Sequence, residues 1–308
     1  MDDVIVVEAV TKLFRKREVL KDINFSVKRG DIIGYLGPNG AGKTTTMRII
    51  LGLLRPTSGN ALVLGRNLTE NEETRRNVGV LLEHDGLYNR MTALENLTYY
   101  AQLYDVSDKR SRIESLLEFS GLTTRRNDKV GEFSKGMKRK LALARAIMHQ
   151  PDILFLDEPS AGLDPEAQKM VRDLLIQLSQ ERNITIFLNS HDLDEVQRIC
   201  SRVVIIQGGR IITNDTLENL REPSPKIEII FPDDENTKHA LSLLRTIDYI
   251  SIVSQKKTSV VATLREERRP SELLTFLIEQ SVKVEEIKKV SRSLEDVYLE
   301  AVHQEEAK

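Results

Sequence analysis

Three short segments of the chain carry the residue types needed to handle a polyphosphate. Residues 37–44 (Gly-Pro-Asn-Gly-Ala-Gly-Lys-Thr) fit the pattern G-x-x-x-x-G-K-[ST]. The backbone N–H groups of such a loop surround phosphate oxygens, and its lysine adds a positive charge. The other segments are 153–159, an apolar run that ends in Asp157 and Glu158, and 189–191, Asn-Ser-His. Together the three segments predict binding and hydrolysis of a nucleoside triphosphate.

The residues that flank the first segment support this interpretation over an ordinary glycine-rich turn. Residues 31–36 have the pattern of a strand and 45–51 that of a helix, and a helix N-terminus offers partial positive charge and free N–H donors to an anion. We expect Lys43 to act on the phosphates, Thr44 to bind Mg²⁺ and Thr45 to lie beside the phosphates. The candidate nucleotide-binding residues of this phosphate loop are Gly37, Pro38, Asn39, Gly40, Ala41, Gly42, Lys43, Thr44 and Thr45.

The acids and the histidine follow apolar runs that are typical of buried strands. Neighbouring residues at a strand end face differently, so Asp157 and Glu158 can take different roles. We expect Asp157 to hold Mg²⁺ and Glu158 to orient and deprotonate the attacking water, since phosphoryl transfer depends mainly on positioning. His191 is expected to donate to a γ-phosphate oxygen. Solvated strand-end acids are the alternative for Asp157 and Glu158, and the phosphate loop argues against it. A structural histidine is the alternative for His191, and the strand before it with the segment 192–195 (Asp-Leu-Asp-Glu) after it favours the functional role.

A second anion-binding helix end is indicated by residues 133–137, Phe-Ser-Lys-Gly-Met. They precede a basic, Ala/Leu-rich stretch, 138–149, that has a helical pattern. Ser134 and Gly136 at a helix start, followed by cations, suit phosphate binding. A simple helix cap is the alternative.

The composition describes an ordinary globular protein. The chain has 308 residues, a net charge of −2 and one cysteine, Cys200. The near-neutral charge argues against broad nucleic-acid binding, and a lone cysteine excludes an internal disulfide framework. No apolar stretch approaches the ~18 residues of a membrane span, and the acidic start is unlike a secretory signal. We therefore expect a cytoplasmic location, unless a partner holds the chain at a membrane.

Buried strands that alternate with helices predict an α/β fold with a mainly parallel sheet covered on both faces. Strands are expected at 4–10 and 23–27 around a basic turn, 12–18, and a hairpin turn at 208–209. Apolar residues at helical spacing predict one buried helix face. That face comprises Met170, Val171, Leu174, Leu175 and Leu178.

A domain boundary is predicted near residues 223–225, Pro-Ser-Pro. Residues 1–222 would form the nucleotide-binding domain, with a helical subdomain at about 84–150. Residues 223–308 would form a small α+β accessory domain whose element order matches a split βαββαβ unit. A capping box at 293–296 predicts a last helix.

The order of these motifs resembles that of the nucleotide-binding subunits of ABC transporters over roughly residues 4–220. Ser134 and Gly136 stand in the signature position, and residues 160–164 (Ser-Ala-Gly-Leu-Asp) match the family's D-loop. The resemblance implies a P-loop NTPase core of the ABC type, with an antiparallel β part and a helical subdomain. It also implies that two such subunits pair head to tail, so that the signature of one closes on the ATP held by the other.

The resemblance assigns further residues by position. Phe14 would stack on adenine, Ser134 and Gly136 would contact the γ-phosphate in trans, and Asp164 would belong to the nucleotide site. Glu83 stands where the family usually has a glutamine that contacts nucleotide and metal, and a carboxylate there is repelled by triphosphate unless Mg²⁺ or a proton intervenes.

The signature also departs from the family pattern, with Phe133, Lys135 and Met137 in place of the common Leu, Gly and Gln. Lys135 would either attract phosphate or point to solvent. The departures, and more weakly the tail, resemble a subgroup of exporters whose membrane subunits are separate polypeptides. For the tail, a structural or dimer-supporting role is favoured over a regulatory ligand site.

These features predict a Mg²⁺- and ATP-dependent ATPase that energises a separate integral-membrane permease at the cytoplasmic face. Export of a drug, antibiotic, lipid or ion is expected, from a homodimer or a heterodimer with a similar subunit. The permease would dock on the part following Glu83, including residues 86–96. The alternatives are a soluble ABC-type ATPase acting on ribosomes or DNA, an importer ATPase, and a nucleotide sensor without turnover, which the intact Glu158 disfavours.

Overall fold

The computed structural model describes residues 3–220, 226–264, 270–289 and 294–299. The chain forms two compact units, the first ending at Leu217 and the second beginning at Glu218. The Pro-rich segment 223–225, where the sequence predicts a boundary, lies outside the described residues. No helix in the described ranges is both long and apolar enough to cross a bilayer.

Nine strands are described in the first unit, and they form two sheets. The strands are β1 (Asp3–Phe14), β2 (Arg17–Lys28), β3 (Ile32–Leu36), β4 (Ser58–Val63), β5 (Val78–Leu81), β6 (Ile153–Asp157), β7 (Thr185–Ser190), β8 (Arg202–Gln207) and β9 (Arg210–Thr216). The larger sheet has the order β5-β6-β7-β3-β8-β9, and its neighbours are parallel except β8 and β9. The mainly parallel sheet and the hairpin at 208–209 are therefore confirmed.

The central strands are buried because helices cover the sheet. Every residue of β3, β6 and β7 is buried, as expected for apolar runs in parallel strands. Tyr35, Phe155 and Phe187 from these strands pack together with Phe25 of β2, and the ring centroids of contacting pairs are 5.4–6.1 Å apart. This aromatic cluster supports the sheet from which the site residues emerge.

The smaller sheet is antiparallel, with the order β2-β1-β4. The predicted turn at 12–18 is wrong for most of its residues, because β1 continues to Phe14 and β2 begins at Arg17. The chain reverses at Arg15, whose φ of 55° lies in the left-handed region. Polar residues continue these strands because they form a projecting hairpin rather than a buried run.

The helices of the first unit cover the parallel sheet and form a helical region between β5 and β6. They are α1 (Lys43–Ile50), α2 (Glu72–Arg75), α3 (Ala93–Leu103), α4 (Lys109–Phe119), α5 (Lys135–Ala146), α6 (Pro165–Arg182) and α7 (Leu193–Ile199), and α8 (Leu217–Leu220) follows at the unit boundary.

Two helix predictions need correction. Helix α5 begins at Lys135 rather than Lys138, because the Ser134 side chain caps it by accepting from the Met137 N–H. Met170 was expected on the buried face of α6, yet its side chain is 38% exposed. The buried stripe comprises Ala167, Val171, Leu175 and Leu178.

The second unit contains β10 (Lys226–Ile230), α9 (Asp234–Leu244), β11 (Ile250–Gln255), β12 (Ser259–Leu264), α10 (Pro270–Glu279) and β13 (Glu286–Lys289). Its strands form an antiparallel sheet with the order β11-β12-β10-β13. This is the predicted split βαββαβ arrangement. Residues 294–299 are helical, whereas Ser293 of the predicted capping box lies outside the described residues.

Candidate nucleotide-binding site

The parallel sheet brings the three polar segments to one edge. The central strands β3, β6 and β7 are neighbours, with Leu36 level with Ser190 and Asp157 level with Asn189. Parallel strands end at the same edge, so the residues that follow them gather there. The phosphate loop, the two acids and His191 therefore lie around one site.

The phosphate loop needs its glycines for conformation and for space. Gly40 and Gly42 have φ values of 82° and 113°, in the left-handed region. A Cβ on Gly37 would lie 2.2 Å from the carbonyl oxygen of Ile206. Within the described part of the chain, no side chain caps the N-terminus of α1, so the first N–H groups of this helix are available to an anion.

Lys43 is the first residue of α1 and is buried. Its ammonium group donates to the carbonyl oxygens of Gly37 at 2.7 Å and Pro38 at 3.3 Å. Burial lowers the pKa of Lys43, and the negative charges of Glu158 and Asp157 partly oppose that shift. The loop thus holds the lysine beside the acids.

A cavity of about 490 Å³ lies between the phosphate loop and the acids. Predicted residues that line it are Asn39, Gly40, Gly42, Lys43, Thr44, Thr45, Glu83, Asp157 and Glu158. Residues that sequence reasoning did not assign to the site also line it, namely Arg17, Val19, Ala161 and Asn189. Two of these residues could have been predicted from the sequence. Arg17 lies in the basic segment 12–18, and Asn189 lies at the end of an apolar run.

Asp157 is buried at the end of β6 and accepts a hydrogen bond from the Asn189 amide. Burial is the main cause of the raised pKa of Asp157, and the Asn189 hydrogen bond opposes the shift. The Asn189 Oδ1 atom is buried and has no hydrogen-bond partner among the residues that the structure describes. This cavity wall therefore contains oxygen atoms suited to a hydrated cation.

Glu158 and His191 form a pair at the mouth of the site. His191 Nδ1 lies 2.8 Å from both carboxylate oxygens of Glu158. Glu158 has a φ of 49°, and its N–H donates to the Asn189 carbonyl at 2.8 Å. A non-glycine residue in the left-handed region is held there by its surroundings, and these contacts direct the carboxylate toward the histidine.

A buried carboxylate that sequence reasoning missed connects two of the motifs. Glu195, in α7, accepts hydrogen bonds from the hydroxyl groups of Ser160 and Ser190. Burial raises the pKa of Glu195, and the two hydroxyl donors oppose that shift. These contacts hold the segment that begins at Ser160 next to the strand end that precedes His191.

Eight predicted site residues are not among those that line the cavity of their own chain. Gly37, Pro38 and Ala41 nevertheless belong to the phosphate loop, and His191 contacts Glu158. The other four are Phe14, Ser134, Gly136 and Asp164. Phe14 is 45% exposed at the end of β1, beneath the Lys12 ammonium. Ser134 caps α5, and Asp164 caps α6 by accepting from the Ala167 N–H. Gly136 is buried, and a Cβ there would lie 2.9 Å from the Ala167 side chain, which gives this glycine a packing role within its own chain.

The position of Lys135 bears on the alternatives left open by the sequence. The Lys135 ammonium lies against Gly162, and a Cβ added to Gly162 would be 2.3 Å from the Lys135 Nζ atom. Lys135 also lines a second cavity, of about 170 Å³, together with Glu83, Asp85 and Glu158. Within one chain Lys135 thus lies over the segment 160–164 and beside acidic side chains.

The fold and the site define a P-loop nucleotide-binding protein. The strand β3 leads through a glycine-rich loop into a helix that carries a buried lysine. The strand β6, which is separated from β3 by β7, delivers two carboxylates to the same cavity. This combination serves phosphoryl transfer.

Comparisons with known proteins agree with this assignment to the P-loop nucleotide-binding proteins. The family model for the ABC transporter domain matches residues 20–161. The bacitracin transport ATP-binding protein BcrA of Bacillus licheniformis is 35% identical over 303 residues, covering 98% of each chain. The structure of cbiO1 from Clostridium perfringens, part of the ABC transporter complex cbiONQ, has a TM-score of 0.67 at 27% identity, covering 71% of this chain and 91% of that one. A dimeric post-hydrolysis structure of the ATP-binding cassette MJ0796, bound to ADP and Pi, has a TM-score of 0.62 at 25% identity, covering 69% and 98%.

This chain belongs to the ABC transporter family. It is the ATP-binding, ATP-hydrolysing subunit of such a transporter.

Proposed function

We propose that this subunit hydrolyses Mg²⁺-bound ATP in a dimer and thereby drives export through a separate membrane permease. The observation that carries the export assignment is the match to the bacitracin transport protein, which extends over 98% of both chains and so includes the second unit.

Mg²⁺ fits the donor set of the cavity. Mg²⁺ prefers oxygen ligands, is bound through few protein carboxylates and keeps contacts to water and phosphate. Thr44, Asp157 and Glu83 line the cavity, and Asn189 Oδ1 has no partner there. We assign the ion to Thr44 and Asp157, with Glu83 joining once the ion offsets its charge. When bound, Mg²⁺ neutralises charge on the phosphates.

The residues of the chain divide the work of hydrolysis. The N–H groups of the loop and Lys43 hold the phosphates, and Glu158 orients and deprotonates the attacking water. His191, already within 2.8 Å of Glu158, orients that carboxylate and donates to the γ-phosphate. Arg17 and Val19 add to the wall of the cavity, next to the strand end that carries Phe14, the proposed adenine contact.

The pairing of two copies explains the residues that lie outside the cavity. Ser134 and Gly136 lie at the N-terminus of α5, away from the cavity lining of their own chain. A second copy placed head to tail would bring this helix end, and Asp164 with it, to the γ-phosphate. The ATP-binding cassette of similar fold is dimeric with ADP and Pi bound, which supports this arrangement.

A docking surface for the permease is supported by exposed aromatic and apolar side chains in the helical region. Tyr88, Tyr99, Leu103 and Tyr104 are exposed, and Leu103 is 61% exposed. Tyr88 lies within the predicted segment 86–96, and Tyr100 beneath it donates to the Gly86 carbonyl. Exposed apolar patches commonly mark interaction sites, and this one adjoins the segment that carries Glu83.

We propose a peptide antibiotic as the cargo class, on the basis of the bacitracin transport relative. The test expresses the chain with the membrane protein encoded beside it and measures the minimal inhibitory concentration of bacitracin. The matched control is Glu158→Gln, which keeps the shape of the side chain but removes the base. Protection by wild type alone supports the proposal, whereas equal protection by both chains refutes it.

The proposed association of this protein with a membrane permease is tested by separating the membrane and ribosome fractions of the same cells. Recovery with the permease in the membrane fraction supports the transporter role. Recovery with ribosomes would instead support the soluble alternative.

A further inference from the structure

Arg139 is a buried arginine whose contacts connect three segments around the site. It lies in α5, two residues beyond the signature segment 133–137, and its side chain is 8% exposed. Its guanidinium faces the loop after β6 and the loop after β5 rather than solvent. Its position in the sequence matches none of the motifs described above.

The hydrogen-bond donors of Arg139 all find acceptors. Nε donates to the Pro159 carbonyl at 2.7 Å, and Nη2 donates to the carbonyls of Glu158 at 2.6 Å and Asp157 at 3.4 Å. Nη1 donates to the Leu82 carbonyl at 3.2 Å and to Asp85 at 2.8 Å. A guanidinium has five N–H donors in a fixed planar fork, so these five acceptors define its orientation.

The acceptors are adjacent to the residues proposed to act on ATP. Three carbonyls belong to 157–159, the segment that carries Asp157 and Glu158, and the others belong to the residues on either side of Glu83 and His84. Glu158 has a left-handed φ of 49°, a conformation that persists only when neighbouring groups impose it. The Arg139 bond to the Glu158 carbonyl is one such constraint.

We propose that Arg139 is a positioning residue that fixes Glu158 relative to the signature helix α5. A displacement of α5 is then transmitted to the carboxylate that activates water. The Asp85 side chain supplies the countercharge that keeps the buried guanidinium in place. This inference rests on the proposed role of Glu158 as the base.

The test compares two arginine-to-lysine variants on the same helix. Arg139→Lys retains the charge but loses the planar fork. Arg145→Lys is the matched control, since Arg145 is also in α5 and donates to the Val80 carbonyl at 2.9 Å without contacting 157–159. We expect Arg139→Lys to lower kcat about 100-fold, the loss typical of a misplaced catalytic group, with the Kd for ATP changed by less than about threefold. Arg145→Lys should retain wild-type kcat.

A double variant distinguishes positioning from general loss of structure. If Arg139 acts through Glu158, adding Arg139→Lys to Glu158→Gln should cause no further loss in single-turnover rate. The inference would be overturned if the loss of rate in the double variant equalled the product of the losses in the two single variants. Wild-type kcat in Arg139→Lys would overturn it as well. If Arg139→Lys does not fold, Asp85→Asn replaces it, and wild-type kcat in that variant overturns the inference equally. Unchanged turnover in Glu158→Gln alone would instead refute the assigned base.

Discussion

Replacing Gly37 by alanine should disable the phosphate loop through one steric contact. The added Cβ would lie 2.2 Å from the Ile206 carbonyl oxygen, whereas ordinary contact begins at 3.4 Å. The start of the loop must therefore move by about 1 Å, the difference between these distances. The backbone of β8 is held in the sheet between β3 and β9, so the loop moves rather than the strand.

This displacement reaches the lysine directly. Lys43 Nζ donates to the Gly37 carbonyl at 2.7 Å, so the ammonium shifts with the loop. A misplacement of about 1 Å costs about 100-fold in rate, equivalent to about 2.7 kcal/mol. We expect kcat/KM for ATP to fall by about that factor, measured by phosphate release at several ATP concentrations.

The control for this prediction is Gly208→Ala, near the same strand. Gly208 has a φ of 54°, but nothing lies within 4 Å of an added Cβ. That variant carries backbone strain without the steric contact and should keep kcat/KM near wild type. Wild-type kcat/KM in a Gly37→Ala variant that circular dichroism shows to be folded would refute the steric effect, as would an equal loss of activity in both variants.

Three further predictions concern assembly, pH and the core. ATP hydrolysis per subunit should fall toward zero when the protein is diluted until sedimentation shows only monomer, because the proposed site is complete only when Ser134 of a second copy joins it. An unchanged specific rate would contradict this proposal. Burial lowers the pKa of His149 below its usual 6.5, so the folded protein resists protonation that the unfolded chain accepts. Stability should therefore be fully present above about pH 6.5 and decline below it, and His149→Gln should flatten that decline in urea titrations at several pH values. Phe187→Ala should lower the free energy of unfolding by about 3–5 kcal/mol, because Phe187 is fully buried and packs against the rings of Tyr35 and Phe155. Urea denaturation measures this loss. A loss below about 1 kcal/mol would contradict the prediction and would show that the cluster repacks.

The sequence was sufficient to predict the sheet edge on which the site is built. Buried parallel strands have continuous apolar runs, so their ends at Asp157 and His191 are visible without a structure. The loop from Gly37 to Thr44 is equally visible, because close approach of backbone to phosphate restricts residue type strongly. These signals are local, and the structure confirms the fold that they imply.

Residues that act through distant partners could not be predicted in the same way. Arg139 meets Asp85 across 54 positions, and Glu195 meets Ser160 across 35. Nothing in the neighbouring sequence distinguishes Arg139 from the other cations of its helix. Met170 was assigned to the buried face of α6 although it is exposed. Helical spacing locates the centre of a buried stripe only approximately, so residues at the edge of the stripe are predicted poorly.

The tyrosines of the helical region give the molecule a built-in optical probe. The chain has seven tyrosines and no tryptophan, and four of them, Tyr88, Tyr99, Tyr100 and Tyr104, form one cluster with ring centroids 5.1–6.4 Å apart. More than half of the phenols that absorb ultraviolet light in the unlabelled protein therefore lie in this cluster, close enough for excitation energy to pass between adjacent rings. A single tryptophan engineered elsewhere would be spectrally unique.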